Sequence, residues 1–106
     1  MTEDELQSAH DRAFRNKPNV MASTVCGCFY CRKTCAPSDV REWVREVEGE
    51  NTALCPHCGI DALIGDASGL PVTDAAFLLE MHAHWFKKAT TFTAAELAAI
   101  AGRNEV

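Results

Sequence analysis

Two Cys-x-x-Cys pairs, Cys28-Phe29-Tyr30-Cys31 and Cys55-Pro56-His57-Cys58, hold the residues of this chain best suited to chemistry. Each pair lets the backbone fold back so that both sulfurs and nearby amides face one point. Together they supply four thiolates, the ligand set of a tetrahedral Zn²⁺ with bonds of about 2.3 Å. Gly59 follows the second pair, as a knuckle turn with positive φ requires, and Pro56 stiffens its entry. The expected metal ligands are therefore Cys28, Cys31, Cys55 and Cys58, holding one zinc ion. A closed four-thiolate site leaves no open coordination position, so the expected role is structural and the protein is not read as an enzyme.

Three other chemistries compete for these residues. Iron, alone or in an iron–sulfur centre, accepts the same four thiolates, and spacing does not exclude it. A thiol–disulfide oxidoreductase would use Cys55 and Cys58, but that chemistry needs a helix starting at the motif to depress the first thiol's pKa. Here Gly59 and a short apolar stretch follow instead. A nucleobase deaminase needs His-x-Glu and Pro-Cys-x-x-Cys; the chain has no His-x-Glu, and Pro56 follows Cys55 rather than preceding Cys58's partner from outside. No His-Glu-x-x-His, Gly-x-Ser-x-Gly or phosphate loop occurs. Two further cysteines crowd the first knuckle. Cys26-x-Cys28 is too tight for an ordinary knuckle, yet it leaves Cys26 open as a replacement for Cys28. Cys35 reads as a small buried hydrophobe or a free thiol.

The elements that position these residues are short. Thr2 and Glu5 have capping-box spacing and predict a helix to about residue 16, ended before Pro18. Leu6, Ala9, His10, Ala13 and Phe14 would share its buried face, with His10 as a packing residue. Residues 19–24 read as a connector. Ser38 and Asp39 suggest a helix N-cap. Periodicity then favours a helix through residue 47, whereas delivery of the second knuckle to the first favours a hairpin; a short helical turn followed by a hairpin is expected. Residues 60–65 read as an apolar turn over the metal side, with Asp61, Asp66 and Ser68 as turn and capping groups. A main helix over 74–88 carries an apolar arc of roughly 260°, far beyond the ~100° a surface helix needs. His82 lies within that arc and His84 beside Glu80, both read as structural. Thr93 and Glu96 predict a last short helix ended by Gly102.

Composition bounds the rest. At 106 residues, 47% of them apolar, the chain reads as one small α+β domain that needs a staple. It comprises an N-terminal helix (1–18), a zinc ribbon (25–66) and a C-terminal helical part (73–102), with about three helices around the ribbon. The net charge of −5 falls to about −7 when four thiolates hold one Zn²⁺. Nucleic-acid binding, which rests on basic residues displacing counterions, is reduced to a minor alternative using Arg32, Lys33 and Arg41. No apolar run approaches the ~20 residues that cross a bilayer, and the acidic start is unlike a secretory leader. The expected compartment is the cytoplasm, where paired cysteines more often mean metal than disulfide.

The segments Cys26-Gly27-Cys28-Phe29-Tyr30-Cys31, Trp43 and Ala53 through Asp61 resemble a family of small, uncharacterised bacterial cytoplasmic proteins with a CGCFYC…CPxCGID motif. The resemblance continues through Ile64-Gly65-Asp66, Ser68-Gly69, Pro71, Thr73, Phe77-Leu78, Met81 and Trp85-Phe86, covering about residues 25 to 86. It implies a zinc-ribbon core with a following helix and no assigned activity. Cys35 stands where such sequences carry a large apolar residue. The function expected from all of this is a zinc-binding adaptor that meets another protein, or a second copy, through the 74–88 helix, with Trp85 and Phe86 as contact residues.

Overall fold

The computed structural model describes residues 1–86. Thr2 caps the first helix, α1 (Glu3–Asp11), as the sequence predicts: its hydroxyl accepts the Glu5 amide at 3.1 Å, and the Glu5 carboxylate accepts the Thr2 amide at 2.8 Å. The helix stops at Asp11, short of the expected residue 16, and Arg15 takes a positive φ of 51°. The phase is therefore lost beyond Ala13, and Phe14 is half exposed instead of buried. Pro18 does not follow a helix; it sits in the first turn of a second one, α2 (Lys17–Ala22), where a missing amide costs nothing. Most of the stretch expected as a connector is helical.

The chain then enters β1 (Cys26–Cys28), turns through the first knuckle, and returns as β2 (Thr34–Cys35). A 3₁₀ turn at Pro37–Asp39, closed by the Asp39 carboxylate on the Ala36 amide at 2.9 Å, precedes a hairpin of β3 (Trp43–Val44) and β4 (Thr52–Ala53). The expected helical turn and hairpin are both present, but Ser38 lies inside the turn and Ala36, not Ser38, stands at its N-cap. The second knuckle follows β4 directly. The stretch after it is not only a turn: β5 (Leu63–Gly65) pairs antiparallel with β1, giving a sheet of order β2-β1-β5 in which Cys26 faces Cys35 on one side and Gly65 on the other. No side chain fits at Gly65, because a Cβ there would collide with Ser23 Oγ at the end of α2.

One buried amide joins these pieces. Asn16 Nδ2 donates to the carbonyls of Leu63 in β5, at 2.8 Å, and of Arg12, at 3.1 Å; its Oδ1 accepts the Ala53 amide of β4 at 3.0 Å. On the neighbouring surface Lys17 lies over the Trp43 ring at 5.2 Å, so the hairpin rests on the start of α2.

The last described helix, α3 (Ala75–Trp85), begins where Asp74 accepts the Ala76 amide at 2.9 Å. Its broad apolar arc is covered over much of its length: Phe77, Leu78, Leu79, Met81 and His82 are buried, and Met81 joins Val20, Phe29, Leu63, Ile64 and Val72 among the most enclosed side chains. Trp85 and Phe86 are half-buried. His10 stacks on Trp85 at 4.1 Å, the packing role expected of it. His82 Nδ1 lies 3.1 Å from the Phe29 carbonyl, tying α3 to the first knuckle. The architecture is α+β: three helices and two small antiparallel sheets among the described residues. No described helix is long and apolar enough to cross a membrane. The helix expected over 93–102 lies outside the described residues.

Candidate metal centre

The two knuckles are built alike. In the first, the Arg32 amide returns to the Cys28 carbonyl at 2.8 Å and the Cys28 amide donates to Lys33 at 3.0 Å. In the second, the Gly59 amide returns to the Cys55 carbonyl at 2.8 Å and the Cys55 amide donates to Ile60 at 3.0 Å. Each turn closes with positive φ, 64° at Arg32 and 77° at Gly59. Inside the second turn the His57 amide donates to the Cys55 sulfur at 3.4 Å, and in both turns neighbouring amides act to lower the leading thiol's titration. Such N–H donors favour thiolate over thiol.

β1 and β4 deliver the turns to one another. The Sγ atoms of Cys28, Cys31, Cys55 and Cys58 all lie within 4.8 Å of one another, and the cross-knuckle pairs Cys28–Cys58 and Cys31–Cys55 stand 3.7 Å apart. Sulfurs bound tetrahedrally to one zinc at about 2.3 Å would be about 3.8 Å apart. The donor set thus fits the ion in kind and in spacing. The leading cysteines, Cys28 and Cys55, are buried, and the trailing ones, Cys31 and Cys58, are half-buried.

Burial and crowding shift the titration of Cys28, Cys55 and Cys58. Burial pushes the Cys28 thiol far above its ordinary range, with the neighbouring Cys55 and Cys31 charges adding to it against the amide donors. Burial also pushes Cys58 up to about 11, despite hydrogen bonds from the Ile60 amide and the Cys28 thiol. At Cys55 burial acts in the same direction, but the amides of Cys58 and His57 and the thiols of Cys31 and Cys58 outweigh it, and the net shift is downward. Cys55 is thus shifted toward the thiolate and Cys28 and Cys58 toward the thiol, and a cation bound there would displace protons.

Cys26 and Cys35 lie outside the group of four. They face each other across β1 and β2 and are buried. Burial raises both thiols, Cys26 to about 12 and Cys35 to about 11. The geometry therefore brings Cys28 rather than Cys26 to the other knuckle. Phe29 is enclosed as packing for the site, whereas Tyr30 is exposed and meets Phe86 edge-on at 4.8 Å. Asp66 and Ser68 are turn groups, as expected: Asp66 accepts the Thr24 amide at 2.8 Å and Ser68 donates to the Gly65 carbonyl at 2.7 Å. Sequence reasoning missed His57, whose Nε2 lies 3.0 Å from the Thr34 carbonyl and ties the second knuckle to β2. A lone exposed histidine between two cysteines carries no spacing signal for that contact.

No helix starts at Cys55; the second knuckle leads through Ile60 into β5. The arrangement a thioredoxin-type site needs is therefore not built here. Comparison of the chain with protein-family models, with curated proteins and with solved structures finds no match.

Proposed function

We propose that the protein is a zinc-binding structural module of the small bacterial family its sequence resembles, acting in the cytoplasm by contact with another protein rather than by catalysis. The observation that carries the metal reading is the sulfur spacing: two cross-knuckle pairs at 3.7 Å within a group of four. Zinc is favoured over iron because a structural ion requires nothing of the chain beyond four thiolates, while an electron carrier requires a redox partner as well. The metal is the staple that such a short chain needs.

The contact surface we assign is the end of α3 around Trp85 and Phe86, joined by the exposed Tyr30 of the first knuckle. Aromatic side chains of this kind supply large contact area at low entropic cost. Protein is favoured over nucleic acid as the partner. The chain is acidic, and of the three candidate cations Arg32 is half-buried, leaving Lys33 and Arg41 exposed. Elemental analysis of purified protein tests the metal: one zinc per chain is expected, lost in single serine variants of Cys28, Cys31, Cys55 or Cys58 and kept in Cys35→Ser. Iron in place of zinc, or metal kept by Cys28→Ser and lost by Cys26→Ser, would overturn the assignment. Sedimentation analysis of wild type and Tyr30→Ala across concentrations separates self-association from contact with a different protein.

A further inference from the structure

The two cysteines left over by the metal reading are themselves a pair. Cys26 of the central strand and Cys35 of the edge strand β2 are directly opposed in the antiparallel register. Opposed residues of antiparallel strands carry their side chains on one face with Cα atoms about 4.5–5.5 Å apart. That lies inside the ~4.4–6.8 Å that a disulfide spans. The register alone therefore sets the two backbones at a spacing a bridge can span.

We propose that Cys26 and Cys35 form a reversible cross-strand disulfide, closed by exchange with a small-molecule disulfide such as oxidised glutathione, while the four-thiol site stays reduced. The inference rests on the metal reading in one respect: a coordinated thiolate is held reduced by its metal, and nothing comparable holds this pair. Cys35 is the point of entry. It is 8% exposed against 0% for Cys26, and its strand is two residues long at the sheet edge, where local opening is easiest. The Cys35 sulfur attacks one sulfur of oxidised glutathione and breaks its S–S bond; the released glutathione takes the proton that Cys35 gives up. Cys26 then attacks the Cys35 sulfur of the mixed disulfide and expels the second glutathione, which leaves with the Cys26 proton. Two electrons pass from the cysteine pair to glutathione, and every sulfur and proton is accounted for.

Burial makes both thiols slow to react, so the test is an equilibrium one. Metal-loaded protein, its metal content measured beforehand, is brought to equilibrium in glutathione buffers running from fully reduced to fully oxidised. Native mass spectrometry then reads disulfide and metal together. The expected species is lighter by two hydrogens and retains its metal. Fragmentation of the joined tryptic peptides 16–32 and 34–41 should place the bridge at Cys26–Cys35. Reductant should restore the starting mass. Cys35→Val and Cys35→Ser should keep the metal and show no such species in the same buffers. Four results would overturn the proposal: metal leaving before or with the first disulfide, a bridge that includes Cys28 or Cys31, six free thiols in the most oxidising buffer, or a glutathione adduct that never closes. A protein that holds no metal before oxidation defeats the proposed function instead, and the bridge is then judged from the peptide map alone.

Discussion

The first knuckle and the second make the same turn with opposite surroundings. Their backbone bonds agree to 0.1 Å: 2.8 Å to the leading carbonyl and 3.0 Å from the leading amide in both. Yet the first is lined by Phe29, which is buried, and closes on Arg32, a residue for which φ 64° is strained by about 1–3 kcal/mol. The second exposes Pro56 and His57 and closes on Gly59, which bears φ 77° without that cost. One knuckle is held by the core around it. The other is held by its own chemistry and by the metal the two would share. The same local geometry can thus be over-determined by packing or by composition.

Four experiments can break or sharpen that comparison. The largest effect should come from the sulfurs, where the knuckles are equivalent: Cys28→Ser and Cys55→Ser should each lose metal and fold together, as structural zinc contributes about 10–16 kcal/mol of binding in small domains. Circular dichroism with elemental analysis checks this, and a folded, metal-free Cys55→Ser would show that the knuckles are unequal at their root. Next comes the packing. Phe29→Ala should cost about 3–5 kcal/mol by urea unfolding of the metal-loaded protein, whereas Pro56→Ala should stay within about 0.5 kcal/mol.

Metal affinity should fall with pH, because the metal-free nest holds protons that the metal-bound one has lost. Each proton displaced weakens binding up to about tenfold per pH unit. With Cys58 raised to about 11 and Cys28 higher still, the slope should persist through neutral pH without a plateau. Competition with a chromophoric chelator between about pH 6 and pH 8 measures it, and a flat response would mean that the thiols are already ionised. At the closing residue the effect should be smaller than at Phe29: Gly59→Ala, with open space around the new Cβ, should cost only the backbone strain of about 1–3 kcal/mol, read from the same urea curves.

The four-cysteine cluster was legible because its signal is local: a turn of four residues carries its own spacing, and two such turns require each other. The capping box of Thr2 and Glu5 was legible for the same reason. The failures come from contacts distant in the chain. Leu63–Gly65 is a strand because β1 lies beside it, and three buried residues with no alternation look the same in a turn. Pro18 carries equal weight as a stop and as a first-turn residue; Arg15, whose φ of 51° breaks the first helix, tips it toward the second. The choice of Cys28 over Cys26 was legible from spacing, but the neighbour of Cys26 was not: only the strand register shows that it lies opposite Cys35.

Asn16 gives the two sheets a common fate. Its amide takes one hydrogen bond from the hairpin and gives one to the central sheet, at the place where α2 begins. The two-stranded hairpin is marginal alone in water, and the three strands of the central sheet are only two or three residues long. Through this side chain, release of the hairpin leaves the buried Asn16 Oδ1 acceptor unsatisfied, and release of the central sheet leaves its Nδ2 short of the Leu63 carbonyl. Opening anywhere along that line separates the two pairs of sulfurs. Convergence of the thiols is therefore a property of the whole chain, and a ligand of the thiols would in turn protect an asparagine far from it in sequence.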